Sequence, residues 1–342
     1  MLREEPIRIS VIVPVYNQAA PLKQCLEALQ ACSARGLEII VVDDASTDGS
    51  ATVAADMGVR VLRLPENSGP AAARNHGAAH AQGDILFFVD ADVVVAPGAV
   101  DHVLRVLATP TLAAVFGSYD ARPHAQGLVS QYRNLLHHFV HQQGDPDAST
   151  FWAGCGAIRR HVLEEVGGFD QERFPRSSIE DIELGYRLRE RGHRILLDKT
   201  LQGTHLKRWR MPSYVWTDIT RRAIPWARLI LESGTRPNDL NLKVSQRLSA
   251  ALVALTCLCL ALAAWHIELL AVATMAVLGV VALNRHLFAF FLRERGLVFA
   301  MACIPLHLMY YLYSTLSYGL VWVDWHLRGS TARHPARLTH DP

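Results

Sequence analysis

Two carboxylates one residue apart, Asp90 and Asp92, follow directly on the apolar run Ile85-Leu86-Phe87-Phe88-Val89. A buried strand that ends in two acids sets hard oxygen ligands at the carboxyl edge of a sheet, where open α/β sheets bind their ligands. Oxygen ligands of this kind suit Mg2+ or Mn2+, and a divalent cation held there can neutralise a diphosphate. If the chain stays extended through Asp92, both side chains point to one face and Ala91 to the other. Polar clusters recur at comparable places: Pro14-Val15-Tyr16-Asn17, Asp43-Asp44 within the run that reaches Gly49, and Asn67 to Asn75 with Arg74 inside it. A later acidic pair, Glu180-Asp181, opens an amphipathic pattern that runs to Arg191.

The elements that must position these residues read as short β-branched runs alternating with helical patterns. Strands are expected over 7–15, 38–42, 59–64, 85–89 and 112–119. Helices are expected over 21–31, from Thr47 or Asp48 through 57, over 70–81 and around 128–141. Alternation at this spacing predicts right-handed βαβ units and a largely parallel open sheet with flanking helices, an α/β fold. Consecutive parallel strands bring their following loops to one end, so the separate polar clusters converge.

Half of the 342 residues are hydrophobic and the formal net charge is +2, so no global field argues for a nucleic-acid partner. Six cysteines show no CxxC pair or zinc spacing and read as buried small hydrophobes. Uncharged runs at 248–265, 269–283 and 297–323 predict about three transmembrane helices in 248–327, preceded by basic, tryptophan-rich interfacial helices over 207–247. A polar tail at 328–342 carries Arg328, Arg333 and Arg337. A third crossing would leave these arginines outside, against the positive-inside tendency. The charged start, Met1 to Pro6, lacks a signal-peptide pattern, so the soluble part is expected on the cytoplasmic side of a multi-pass inner-membrane protein. Pro305 is expected to kink the last span. His307, unusual in lipid, is expected to face another helix or the acceptor path.

In VIVPVYN (11–17), VVDDASTDGS (41–50), NSGPAAARN (67–75), the Asp90-Ala91-Asp92 triplet, FWAGCGAIRR (151–160), Gly167-Gly168-Phe169-Asp170 and Glu180-Asp181, the sequence resembles the family 2 inverting glycosyltransferases of the GT-A fold over roughly residues 7–210. The resemblance implies a GT-A domain over 1–206 and a nucleotide diphosphate sugar donor. Pro14, Tyr16, Asn17, Asp43, Asp44, Arg74 and Asp90 would contact that donor. Asp44 would accept from the base; the alternative use, helix capping and turn formation, is one that Asp48 already serves. Arg74, early in its helix, would suit the diphosphate. Asp92, with Asp90, would hold the Mn2+ or Mg2+ ion, and Asp181 would be the general base that deprotonates the acceptor hydroxyl. Trp152, Gly154 and Gly156 would lie against the acceptor, the glycines letting backbone approach a sugar. Glu180, Arg208 and Trp209 would complete that side. His205 stands where some processive relatives carry a glutamine; it would bind the acceptor end, complete the metal shell or cap its strand. His137, His138 and His141 lack an accompanying glutamate and read as a satisfied cluster.

The implied function is a membrane-anchored transferase that moves a sugar with inversion onto a lipid-linked or membrane-associated hydroxyl. Two alternatives stay open: a non-catalytic nucleotide-sugar-binding scaffold subunit of an envelope glycan assembly complex, and a polyprenyl-phosphate glycosyltransferase.

Overall fold

The computed structural model describes residues 9–32, 37–234 and 243–327, and the chain divides into two units, Met1–Arg210 and Met211–Pro342. Residues 7 and 8 of the first expected strand, Arg236 of the basic segment and the whole tail 328–342 lie outside the described residues.

The first unit is built on β1 (Ile9–Val15), α1 (Ala19–Gln30), β2 (Leu37–Asp43), α2 (Ser50–Asp56), β3 (Arg60–Arg63), α3 (Gly69–His80) and β4 (Ile85–Val89). It continues through β5 (Val93–Val95), α4 (Ala99–Leu107), β6 (Leu112–Tyr119), α5 (Leu128–Gln142), β7 (Cys155–Arg159), α6 (Arg160–Glu165), α7 (Glu180–Glu190) and β8 (Arg194–His205). All seven residues of β1 and all five of β4 are buried. Strands covered on both faces read as continuous apolar runs, which is why these two stand out in the sequence. Leu22, Cys25, Leu26 and Leu29 turn one face of α1 onto the same core at helical spacing.

The eight strands form one open sheet in the order β3-β2-β1-β4-β7-β6-β8-β5. Four of the seven pairings are parallel and three antiparallel, so the sheet is mixed rather than largely parallel. The parallel half, β3 to β4, is the βαβ part that alternation predicts. The departure is β7, which enters antiparallel between β4 and β6. Its first residue, Cys155, pairs with Val89, the last of β4. The loop before β7 is thereby delivered to the carboxyl edge of β4, beside the acids. A three-residue strand, β5, pairs Val93 with His205 and brings the end of β8 to the same place.

The second unit contains α8 (Met211–Asp218), a π-helical turn (Ile219–Ala223), α9 (Ile224–Ser233), α10 (Val244–Leu262), α11 (Leu269–Leu283) and α12 (Arg285–Leu327). Among the described residues, α10 alone is by length and composition long and apolar enough to cross a membrane. The next two pass together only as a pair bent by 71°. The three expected crossings thus reduce to one, or two if that pair counts as a single broken span. The run at 269–283 is too short, and the long α12 is interrupted at Gly296 (φ 81°, ψ 177°) rather than at Pro305. Buried polar groups tie these helices together. Tyr311 Oη lies 2.6 Å from Gln246 Oε1 and 2.9 Å from Asn284 Oδ1, one of which takes its single proton, and Asn284 Nδ2 donates to Ser249 Oγ (3.0 Å). His307 faces Asn284 Oδ1 at 3.3 Å, which makes it a helix–helix contact.

Candidate active site

The chain does not stay extended beyond β4. Val93 N donates to Asp90 O (2.9 Å), closing a turn over 90–93 that sends the two carboxylates to different partners. Asp90, about one-third exposed, accepts from Arg74 Nη2 at 2.8 Å. Asp92, buried, faces His205 Nε2 across 3.5 Å. The expectation that both side chains share one face held only for extended geometry, which the turn removes.

His205 is the last residue of β8 and is 5% exposed. Its Nδ1 donates to Asn134 Oδ1 at 2.6 Å, and its ring stacks on Tyr119 with centroids 4.2 Å apart and planes within 7°. With Nδ1 donating to Asn134, Nε2 is the ring nitrogen turned toward Asp92. Burial alone would raise the Asp92 carboxyl, but His205 and Lys207 outweigh it and hold Asp92 below the usual carboxylate range. A buried carboxylate facing an oriented imidazole nitrogen is a donor set that fits a divalent cation. The hydrogen bond from Nδ1 is the support that metal-bound histidines commonly carry. Among the described residues no group of three or more such side chains gathers. Few protein ligands, with substrate phosphates and water in the other positions, are usual where a divalent cation is shared with a phosphorylated substrate. Asn134 was not singled out by sequence. Its signal is a polar residue on the inward stripe of α5, where Tyr132, Leu135 and Leu136 are also buried.

At the other side of β4, Arg74 is buried and bridges two acids far apart in sequence: Nη1 reaches Glu180 Oε1 and Nη2 reaches Asp90 Oδ1, each at 2.8 Å. Its guanidinium, assigned from sequence to the diphosphate, is here engaged by carboxylates. Glu180 also accepts from Ser178 N (2.8 Å), so it organises the start of α7 instead of standing open to an acceptor. Asp181 is only partly buried. Its Oδ2 accepts from Ala153 N at 3.1 Å, in the loop whose next residue, Gly154, accepts from Asp90 N at 3.2 Å. Burial, with Glu180 adjacent, raises the Asp181 carboxyl to about 7 against the opposing pull of Arg74.

The remaining sequence-predicted residues fall into two sets. Asn17 (φ 52°) staples the loop after β2: its Oδ1 accepts from Thr47 N (2.8 Å) and Asp48 N (3.2 Å), while its own N donates to Ser46 Oγ (3.0 Å). Asp43 accepts from Ser46 N (3.0 Å) and pairs with Arg63 (3.3 Å). Both oxygens of Asp44 accept backbone N–H groups, from Ser68 (2.7 Å) and Gly69 (2.9 Å), so the capping use is the one seen, and the helix it caps is α3. Pro14 lies within β1, and Tyr16 is exposed just past its end.

On the acceptor side the geometry departs further. A Cβ at Gly154 would meet the Trp152 indole at 2.6 Å, and one at Gly156 would meet Trp152 O at 2.3 Å. Both glycines leave space that Trp152 fills. Trp209 is buried, its N donating to Ser130 Oγ (2.8 Å), while Arg208 beside it is exposed. His138 Nδ1 and His141 Nδ1 bond to Tyr119 O (2.7 Å) and Gly117 O (3.0 Å). Burial depresses His141 to about 4, so the ring is neutral.

Residues 10–167 match the model of Glycosyl transferase family 2. The chain is 30% identical over 216 residues to the pre-mycofactocin glycosyltransferase of Mycobacterium tuberculosis, covering 60% of this chain and 44% of that protein. It is 32% identical over 223 residues to the validoxylamine A glucosyltransferase of Streptomyces hygroscopicus, covering 54% of this chain and 52% of that one. The chain thus spans about half the length of these relatives. Among solved structures, the mannosyltransferase PcManGT of Pyrobaculum calidifontis, in complex with GDP-Man and Mn2+, aligns with a TM-score of 0.58 at 19% identity over 94% of this chain and 88% of that one. GalNAc-T7 with UDP, GalNAc and Mn2+ aligns with a TM-score of 0.51 at 17% identity over 67% of this chain and 48% of that chain. At such identities the likeness is one of fold. Residues 10–167 thus resemble the family 2 glycosyltransferases, and the eight-stranded open sheet is GT-A-like.

Proposed function

We propose that this protein transfers a sugar, with inversion at the anomeric carbon, from a nucleotide diphosphate sugar to a hydroxyl of a lipid-linked or membrane-associated acceptor. The observation that carries the reading is the contrast within one sheet edge. A carboxylate held ionised against an oriented imidazole, Asp92, stands apart from a carboxyl raised to about 7, Asp181. Environments that push two acids apart in this way mark out an electrostatic role and a proton-transfer role.

Asp181 is the general base. With Oδ2 fixed by Ala153 N–H, it takes the proton of the acceptor hydroxyl as that oxygen attacks. A phosphate acceptor would need little deprotonation, so a base poised near neutrality favours a hydroxyl. Asp92 and His205 would hold a divalent cation, with Asp90 available nearby, and such an ion supplies charge neutralisation for the departing nucleoside diphosphate. Arg74 keeps Asp90 and Glu180 in register, and Asn134 and Tyr119 keep His205 in one tautomer and orientation. The apolar helix α10 supports attachment to a membrane, and with it a membrane-associated acceptor.

The deciding experiment screens nucleotide sugars for Mn2+-dependent release of nucleoside diphosphate by the purified protein, with Asp181→Asn and Asp92→Ala as controls. Metal-dependent turnover by the wild type, abolished in both variants, is the expected result. Tight donor binding without turnover would instead identify a scaffold.

A further inference from the structure

Apart from the sheet edge, the second unit encloses a cavity of about 400 Å3. That is the size of an ordinary small-molecule pocket, roughly 300–1,000 Å3. Three helices turn one face each toward it, every face at helical spacing: Trp226 and Ile230 on α9, Arg247 and Ala250 on α10, Tyr311 and Thr315 on α12. The lining is mostly apolar and aromatic, and its small residues leave the space that the rings border. Arg247 lies in the first turn of α10, the helix long and apolar enough to span a membrane, so the cationic end of the cavity is at the start of that helix and Ala250 lies one turn deeper. Thr315 Oγ1 is buried without a hydrogen-bond partner among the described residues. A π-helical turn at Ile219–Ala223 immediately precedes α9, and such turns interrupt helices chiefly at functional sites. On the neighbouring segment Arg222 pairs with Asp218 (3.6 Å) and Arg228 with Asp324 (3.7 Å), so Arg247 is the cation that borders the cavity.

We propose that this cavity binds one hydrocarbon chain of a phosphate-headed lipid, with the anionic head at Arg247 and the chain between α9, α10 and α12. An apolar wall with a cation at one end is complementary to an amphiphile of that charge, and neither a sugar nor a nucleotide matches so apolar a lining. The site is independent of the transferase reading: lipid occupancy is measurable whether or not donor turnover occurs.

The test uses the full chain in vesicles containing phosphatidylglycerol with a photoreactive diazirine in its acyl chain, and maps the labelled peptides. Labelling should concentrate on α9 and α12 around Trp226 and Thr315. It should fall about tenfold relative to α11 peptides of the same sample when Ala227→Trp or the milder Ala250→Leu fills the space. Arg247→Gln should lower the preference for phosphatidylglycerol over phosphatidylcholine without moving the labelled sites. Labelling spread evenly over all apolar helices and indifferent to both filling variants would overturn the proposal. So would displacement of the lipid by millimolar inorganic phosphate, which would make this a site for the free anion.

Discussion

Asp92 and Asp181 belong to one sheet edge but live in opposite environments. Asp92 is backed by an imidazole whose far nitrogen is tied to Asn134, and it is held ionised. Asp181 sits beside Glu180, which shares its Arg74 partner with Asp90, and its carboxyl is lifted to about 7. The same side chain therefore serves one region as a fixed charge and the other as a proton acceptor, and the difference is made by neighbours from distant parts of the chain. Four substitutions or titrations would break or sharpen that contrast.

The largest effect belongs to Asp181→Asn, which keeps the shape and the hydrogen bond from Ala153 but removes the basic site. Sugar transfer should fall about 10²–10⁴-fold with Mn2+ affinity unchanged. Near-wild-type transfer to a hydroxyl acceptor would end the assignment. Next, Asn134→Leu removes the acceptor that fixes the His205 tautomer. Mn2+ affinity, followed by electron paramagnetic resonance of the free ion, should weaken about 10–100-fold while the Asp181-dependent pH profile keeps its midpoint. An unchanged Mn2+ isotherm would mean that His205 does not ligate.

The pH dependence gives a smaller, graded effect. A base whose carboxyl titrates near 7 loses its active form below that pH, so kcat/KM should drop about tenfold per unit on the acid side of about pH 7. The stability sign is the reverse. Because the folded-state value lies above the ordinary one, the folded protein favours neutral Asp181. The cost of ionising it is absent below about pH 4 and fully present above about pH 7. Asp181→Asn should therefore raise the melting temperature at pH 8 and lose that advantage as pH falls to 4. The smallest effect on catalysis should come from Gly154→Ala. The added methyl meets the Trp152 indole at 2.6 Å, so stability should fall by about 1–3 kcal/mol in chemical denaturation while the donor KM stays unchanged. A raised acceptor KM at wild-type stability would return that glycine to the sugar.

Much of the first unit was legible because its signals are local. The strand over 85–89 matches β4 end to end, the strand over 112–119 matches β6, and the helix over 70–81 differs from α3 by one residue at each end. The acids themselves were visible by type and spacing. The second unit was less legible. Apolarity marked its helices, but the bend of 71° between α11 and α12 and the break at Gly296 decide how many can cross a membrane, and neither is a property of composition.

By itself, the sequence determined which side chains carry charge and which segments must be buried, because hydrophobic period and residue chemistry act over a few neighbours. Tertiary structure alone decided their partners. The antiparallel entry of β7 brings Ala153 to Asp181, the turn after β4 separates Asp90 from Asp92, and α5 supplies Asn134 to a histidine 71 residues away. Proton affinity and ligand orientation depend on desolvation and on charges within a few ångströms, and those distances exist only once the chain is folded.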